Sequence, residues 1–172
     1  MPPRVTIRPY VKSDAKSAYA AVQESREDIA PWMPWCHPDY DFGDVTTWIE
    51  TTLAGRASGT LYGFVIEADD EFAGTCGINH INRNDRVANL GYWVRTSLAG
   101  RGIATAAVHQ LIDWVFENTD LNRIEIVAAV GNPPSQRVAE KVGASRDAVL
   151  RKRTIVQGEP SDAILFSVIR PD

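Results

Sequence analysis

The sequence is poor in the residues that form disulfide frameworks and metal centres. Only two of its 172 residues are cysteine, and three are histidine. Cys36 and Cys76 stand far apart, neither belongs to a C-x-x-C pair, and the histidines do not cluster. We therefore expect two ordinary free thiols and no bound metal.

Basic charge and long apolar runs are scarce as well. Lysine and arginine total 18 against 22 acidic residues, the net charge is -4 and the pI is about 5.4. A nucleic-acid-binding domain usually presents a basic face, so this balance argues against nucleic acid as the main partner. No segment approaches the ~18 apolar residues of a membrane span, and the N-terminus MPPRVTIRPY lacks the apolar core of a signal peptide. A cytoplasmic protein without a membrane partner is expected.

The apolar content that is present suits one globular domain over residues 1–172. Hydrophobic residues make up 44% of the chain and charged residues 23%, which is ordinary for a folded domain of this length. The sequence contains no repeat, low-complexity tract or linker-like stretch that would divide it.

Hydrophobic periodicity predicts the element order β-α-α-β-β-β-α-β-α-β-β. Strands are expected at 5–8, 61–68, 72–81, 87–94 and 123–130, with a hairpin at 148–169. The first helix is expected to be capped by Ser13 and Asp14 and to run to about Arg26, and further helices are expected at 44–57, 102–117 and 133–142. Residues 30–42, rich in proline and tryptophan, cannot form a regular helix. The fold class is α+β (mixed α/β): a central mixed, mostly antiparallel sheet of about seven strands flanked by about four helices.

Two glycines and an arginine separate the strand at 87–94 from the helix at 102–117. The stretch reads Ala99-Gly100-Arg101-Gly102-Ile103-Ala104. A helix N-terminus offers free N–H groups and a partial positive charge, both of which favour phosphate. Glycine removes side chains that would block close approach, and Arg101 adds a cation. The stretch indicates a diphosphate cradle, although a tight turn that needs glycine would look the same.

The two common nucleotide motifs fit this stretch poorly. A Walker loop needs Gly-Lys-Ser/Thr, which Gly102-Ile103-Ala104 is not. The pattern G-x-G-x-x-G would require glycine at Thr105, and the acidic residue Glu125 lies inside a predicted strand rather than at its end. We also predict that the strand before the turn belongs to an antiparallel meander, not to a parallel βαβ unit.

The chain resembles the GNAT acyltransferases, in particular the ribosomal-protein alanine N-acetyltransferase (RimJ/RimL-like) branch. The coenzyme motif of that family is Gln/Arg-x-x-Gly-x-Gly/Ala, which this sequence matches at Gly102 and Ala104 and departs from at Ala99. The resemblance implies a GNAT-type fold and acetyl-coenzyme A as co-substrate. It also implies that the coenzyme is held by Gly100, Arg101, Gly102, Ile103, Ala104 and Thr105.

The resemblance continues along nearly the whole chain. Residues 89–94, Asn-Leu-Gly-Tyr-Trp-Val, are similar to a family strand that splays from the next one and bonds the pantetheine arm. Residues 132–143 are similar to its Asn-x-x-Ser-x-x-Val-x-x-Lys-x-Gly helix. Segments 26–35 and 162–167 match a substrate-facing segment and the last strand. Coenzyme contacts are thereby implied for Trp93, Val94, Asn132 and Ser135.

The implied reaction is direct attack of an amine on the thioester, without an acyl-enzyme. The backbone N–H of Val94 is expected to polarise the acetyl carbonyl. Many family members protonate the thiolate with a tyrosine seven positions after the asparagine, where this chain has Ala139. In the RimL-like branch a serine acts instead, so Ser135 is the predicted catalytic acid. A serine that only starts a helix is the alternative.

The general base is left open by the sequence. The branch can use a glutamate where ungapped counting places Thr154. His80 is the catalytic candidate on the third strand, with a structural histidine as the alternative, and Asp162 and Glu67 are weaker candidates. An α-amine, with a pKa near 8, costs only about 1 kcal/mol to neutralise at pH 7, against about 4.6 kcal/mol for a lysine amine. If His80 is structural, the missing strong base therefore favours an α-amine.

The acceptor is predicted to be an amine, most of all a protein or peptide N-terminus. Trp32 and Trp35 are the predicted substrate-binding residues, because proline-fixed loops with several aromatics often form recognition walls. A small-molecule amine acetyltransferase, for a drug or polyamine, and a non-catalytic coenzyme A-binding protein are the alternatives. The last hairpin and the helix around Trp48 could support a homodimer.

Overall fold

A seven-stranded sheet with two helices on each face forms the body of the computed structural model, which describes residues 2–171. The strands are β1 (Val5–Pro9), β2 (Tyr62–Ala68), β3 (Glu71–Asn82), β4 (Val87–Val94), β5 (Arg123–Ala129), β6 (Ser145–Val156) and β7 (Glu159–Ile169). The helices are α1 (Ala15–Ile29), α2 (Phe42–Ser58), α3 (Ile103–Asn118) and α4 (Pro133–Lys141). The predicted element order and fold class are confirmed.

The ends of several elements differ from the predicted ones by a few residues. Helix α1 ends at Ile29, three residues beyond the predicted end, and the Asp14 side chain makes no capping bond to it. The Asp14 carboxylate instead accepts from the Arg8 guanidinium and from the N–H of Val11. Helix α2 begins at Phe42, where Asp41 accepts from the N–H of Asp44. Strand β6 starts three residues before the predicted hairpin.

Each face of the sheet has its own apolar core. One core packs α3, with Ala107, Val108 and Leu111, and the inner side of α4 against the sheet. The other packs α1 and α2 against the opposite face, where Trp93 contributes from β4. This alternation follows from the two-residue period of strands, which sends neighbouring side chains to opposite faces. In residues 2–171 no helix is long and apolar enough to cross a membrane.

The strand order is β1-β2-β3-β4-β5-β7-β6, and one pair in it runs parallel. β4 is antiparallel to β3, as predicted, but it also pairs in parallel with β5 over Val87–Asn89. The expectation that the strand before the glycine turn lies outside any parallel βαβ unit is therefore wrong. A short turn in the sequence predicts pairing only between the two strands that it joins. The pairing of β4 with β5 could not be predicted in this way, because a long crossover through α3 connects them.

Candidate functional site

Strands β4 and β5 separate in the middle of the sheet. β4 stays paired with β3 up to Val94, whereas its pairing with β5 stops at Asn89. The N–H of Arg95 donates to Ala73 of β3 at 2.8 Å. Since backbone groups alternate sides along a strand, the amides of Tyr92 and Val94 face the opposite side, toward the gap left by β5. Within residues 2–171, the gap therefore offers N–H groups that no neighbouring strand takes up.

A cavity of about 640 Å³ passes through this gap and reaches both faces of the sheet. Its walls come from β4, the end of β5, the start of α4, the 30–41 loop, the first turns of α2 and the end of β6. Tyr92, Asn132 and Ser135 line its α4 side, and Trp32, Trp35 and Tyr40 line its α2 side. A ligand in the gap can thus be approached from two opposite directions.

The glycine turn forms the start of α3, below the end of β4. Gly100 and Gly102 have φ angles of 77° and 79°, which L side chains rarely adopt. A Cβ added at either position would meet nothing within 4 Å, so the space beside these glycines is open. The first N–H bonded back to Gly102 is that of Ala106, at 3.0 Å, which leaves the amides of 103–105 without helical partners. These features fit a diphosphate.

Helix α1 fastens the segment between β4 and the glycine turn. Glu24 pairs with the Arg95 guanidinium and accepts from the N–H of Ser97 at 3.1 Å. The N–H of Thr96 donates to the hydroxyl of Ser25 at 3.0 Å. These bonds join α1 to three consecutive residues, 95–97, just before the glycine turn. They therefore hold the glycine turn in place relative to the sheet.

This fastening predicts a pH-dependent contribution to stability from Glu24. Hydrogen bonds from Arg95 and then Ser97 lower the pKa of Glu24 from 4.5 to about 2. A carboxyl group whose pKa is lower in the folded state stabilises the fold above its unfolded pKa and loses that effect as pH falls through the folded value. We expect Glu24→Gln to lower the free energy of unfolding at pH 7. The difference in unfolding free energy between the variant and wild type should disappear between about pH 4.5 and 2.

Urea unfolding of both proteins across this pH range measures this difference in unfolding free energy. Glu27→Gln, at an exposed position on the same helix, is the matched control and should show no such closure. A difference in unfolding free energy that stays constant down to pH 2 would contradict the stabilising role of the Glu24 carboxylate.

Ser135 lies on the cavity wall and is held by two residues. It is the third residue of α4, and its N–H donates to the side-chain oxygen of Asn132 at 3.2 Å. Its Oγ is 2.9 Å from the Tyr92 hydroxyl, which also donates to the Ser135 carbonyl at 2.9 Å. Because a carbonyl can only accept, the Tyr92 proton goes to it, and the Tyr92 oxygen can accept from the serine hydroxyl. Ser135 is therefore oriented in the cavity as well as starting a helix.

Tyr92 is a site residue that the sequence indicated only as part of a motif. Burial raises its pKa to about 12, although the hydrogen bond with Ser135 opposes that effect. The phenol therefore stays neutral and keeps its proton at physiological pH. The signal that could have identified Tyr92 is its position two residues before Val94, which places both side chains on the same face of β4.

The aromatic side of the cavity brings together the predicted substrate-binding residues. Trp35 is 40% exposed, and its ring lies 5.6 Å from that of Tyr40 and 6.1 Å from that of Trp93. The six-membered ring of Trp32 passes 3.8 Å from where a Cβ on Gly131 would lie. The 30–41 loop thus covers the gap with indole rings and remains open to solvent at Trp35.

The candidate bases from the sequence lie apart from this arrangement. His80 is exposed, sits at an irregularity in the β3–β4 pairing with φ 49°, and does not line the cavity. Glu67 pairs with Arg8, and Asp162 accepts from the N–H of Lys152. Thr154 lines the cavity but carries no base. Within residues 2–171, no three His, Cys, Asp or Glu side chains converge as a metal site.

Comparison with known proteins agrees with this arrangement. The profile of a family described as acetyltransferase (GNAT) domain matches residues 4–145. The putative ribosomal N-acetyltransferase YdaF of Bacillus subtilis (strain 168) is 28% identical over 173 residues, covering 96% of this chain and 91% of that protein. Mycobacterium smegmatis RimJ, solved with a CoA disulfide, has a TM-score of 0.87 and 31% identity, covering 98% of this chain and 86% of that one.

A second solved structure supports the fold only. RimL, described as a ribosomal L7/L12 alpha-N-protein acetyltransferase in complex with coenzyme A, has a TM-score of 0.91. The superposition covers 96% of this chain and 93% of that one, at 19% identity. Together with the family match, these similarities confirm the predicted fold and the resemblance to the RimJ/RimL-like branch.

Proposed function

Because the chain belongs to the GNAT acetyltransferase family, we propose that it transfers an acetyl group from acetyl-coenzyme A to the N-terminal α-amine of a protein or peptide. The observation that carries this proposal is the passage between β4 and β5, with a hydroxyl donor on one face of the sheet and aromatic rings on the other. We also propose that the chain is a single acetyltransferase domain that acts in the cytoplasm.

The start of α3 and the start of α4 supply the groups that would bind the coenzyme. Acetyl-coenzyme A supplies an acetyl group activated as a thioester. The amides of 100–105 would bind its diphosphate, supported by the open space at Gly100 and Gly102. Arg101, whose guanidinium contacts the Ser97 carbonyl at 3.2 Å, adds a positive charge beside them. Asn132 uses its side-chain oxygen as the cap of α4, so its amide nitrogen can donate to the pantetheine arm.

The chain's own groups then perform three tasks. The Val94 amide, which faces the gap, donates to the acetyl carbonyl oxygen and stabilises the negative charge that develops there. Trp93 and the 30–41 loop hold the acceptor on the opposite face. Tyr92 positions the Ser135 oxygen, and the Ser135 hydroxyl proton turns from the phenol oxygen to the departing sulfur and is donated there.

The α-amine acceptor is supported by the cavity mouth and by relatives of the chain. YdaF is described as a putative ribosomal N-acetyltransferase, and Trp35 at the mouth is exposed to solvent, so a longer chain can extend outward. An α-amine is also the cheapest amine to neutralise at pH 7, at about 1 kcal/mol. Trp32 and Trp35 would contact the first acceptor residues.

Thiol release with acetyl-coenzyme A and a panel of acceptors tests the proposal. We expect turnover with peptides that carry a free N-terminal amine, and none with the same peptides blocked at the N-terminus but containing an internal lysine. Turnover with polyamines or drug-like amines alone would shift the assignment to a small-molecule acetyltransferase. Absence of turnover with every amine, despite calorimetric binding of coenzyme A, would leave only coenzyme binding.

A further inference from the structure

One imidazole and one carboxylate line the cavity among the residues the structure describes, and they lie side by side. They are His37 of the 30–41 loop and Asp44 of α2. The other lining groups that titrate are the phenols of Tyr10, Tyr40 and Tyr92 and the thiol of Cys76, and burial raises the pKa of each of them. Those groups stay protonated near neutral pH, so they are unsuited to accept a proton there.

His37 and Asp44 lie within ion-pair distance of each other. The Nε2 atom of His37 is 3.5 Å from Oδ2 of Asp44. The same carboxylate accepts from the N–H of Asp41 at 2.9 Å, and Asp41 accepts in return from the N–H of Asp44 at 3.1 Å. This capping box fixes Asp44 in the first turn of α2. Asp44 therefore faces one ring nitrogen of His37 and leaves Nδ1 available to accept a proton.

A row of aromatic rings connects this pair with β4. The ring of His37 lies 5.9 Å from that of Tyr40, Tyr40 lies 5.6 Å from Trp35, and Trp35 lies 6.1 Å from Trp93. All four residues line the same cavity, on the face opposite Ser135. The pair thus stands where an acceptor would enter, and the hydroxyl donor stands where the thiol would leave.

The charged and titratable groups around this end are few. They are Arg26 of α1, Asp41 and Asp44 of the capping box, Cys36 and Tyr40 of the loop, and Tyr10 after β1. The Arg26 guanidinium is occupied by the carbonyls of Pro38 and Tyr40, at 2.9 and 2.7 Å. Asp44, 3.5 Å from Nε2, is therefore the carboxylate in contact with the His37 ring.

We infer that His37, oriented by Asp44, is the group that takes the proton from the acceptor's ammonium. This inference rests on the proposed transfer to an amine. As the acceptor enters the cavity, one proton passes from its ammonium to Nδ1 of His37 and then to bulk water, so that the amine reaches β4 in its neutral form. The freed lone pair of electrons on nitrogen forms the new bond to the acetyl carbon. The electrons of the broken carbon–sulfur bond leave with sulfur. The second nitrogen proton replaces the one that Ser135 gives to sulfur, so charge and atoms balance.

His37→Gln tests this assignment through the dependence of turnover on pH. We expect kcat with an N-terminal peptide to fall at least about tenfold at pH 7, since general base catalysis contributes on that scale or more. The defect should shrink above about pH 9, where an α-amine of pKa near 8 is already neutral. Asp44→Asn keeps an oxygen for the capping box and should give a smaller defect of the same pH shape.

Two further measurements separate proton transfer from a structural role. Imidazole in solution should restore part of the turnover of His37→Ala. Such rescue is possible because His37 lines an open cavity, which free imidazole can enter. The calorimetric Kd for coenzyme A should be unchanged in His37→Gln, because the pair lies on the acceptor side. His109→Gln, an exposed histidine on α3, is the matched control and should behave as wild type.

Normal pH-7 turnover of His37→Gln in an enzyme that acetylates peptides would overturn this inference and leave the proposed function standing. Loss of turnover in His80→Gln, with His37→Gln unaffected, would assign the base to β3 instead. A defect of equal size at every pH, without rescue by imidazole, would also overturn it.

Discussion

Replacing Gly102 with valine is expected to weaken the binding of coenzyme A by about 30-fold, which corresponds to about 2 kcal/mol. The reason is steric: the Cβ of any residue at 102 points into the open space beside the helix start, where the diphosphate would lie. Bulk there keeps the phosphate away from the amides of 103–105. Calorimetric titration with coenzyme A measures the effect directly.

Gly143→Val is the matched control for backbone strain. Gly143 has φ 77°, nearly the same as Gly102, and a Cβ there would also point into open space, but it lies after α4 and outside the cavity. Both variants should lose about 1 to 2 kcal/mol of unfolding free energy, because L side chains disfavour this conformation. Only Gly102→Val should lose affinity for coenzyme A. Equal affinities in the two variants would exclude the glycine turn as the diphosphate site.

Ser135→Ala is expected to lower kcat by about 10- to 100-fold, while the Kd for coenzyme A remains near that of wild type. Tyr92→Phe should give a smaller loss of the same kind, because it removes the partner that directs the serine hydroxyl. The double variant should be no slower than Ser135→Ala alone, since residues that act as a unit are not additive. Steady-state kinetics of the four proteins gives this cycle.

An acyl donor with a more acidic thiol adds a sharper criterion. A thiolate that is stable without a proton needs little help from an acid, so the defects of both variants should shrink with such a thioester. Additive losses in the double variant would show that Tyr92 and Ser135 act separately. Defects that persist undiminished with the activated donor would show that Ser135 does not protonate sulfur.

More of the coenzyme half of the candidate site than of the acceptor half could be predicted from the sequence, since Trp32 and Trp35 were the acceptor residues it indicated. Gly100 and Gly102 can be recognised because glycine at a strand-to-helix junction reflects a backbone preference that short-range sterics impose. Asn132 and Ser135 lie three residues apart, so one helix start brings them together. His80 was a candidate by residue type alone, and its placement on an exposed irregularity of β3 depends on the register with β4.

The pairs that only the tertiary structure revealed depend on how the chain folds back on itself. Tyr92 and Ser135 are 43 residues apart, and they meet because α4 packs beside the end of β4. His37 meets Asp44 because an irregular, proline-rich loop folds back over the first turn of α2. No period or spacing rule describes such a loop, since its path is set by packing of Trp35 against Trp93 of β4 and by burial of Tyr40 in the core beside α1 and α2.

By itself the sequence determined the order of strands and helices, the glycine turn and the chemistry that a helix start can offer an anion. These follow from side-chain period and backbone sterics, which act over a few residues. Only the tertiary structure decided that β4 and β5 part after Asn89 and that the resulting gap opens on both faces of the sheet. That separation depends on how a crossover through α3 returns the chain to the sheet, and crossover geometry is fixed by packing across the whole domain.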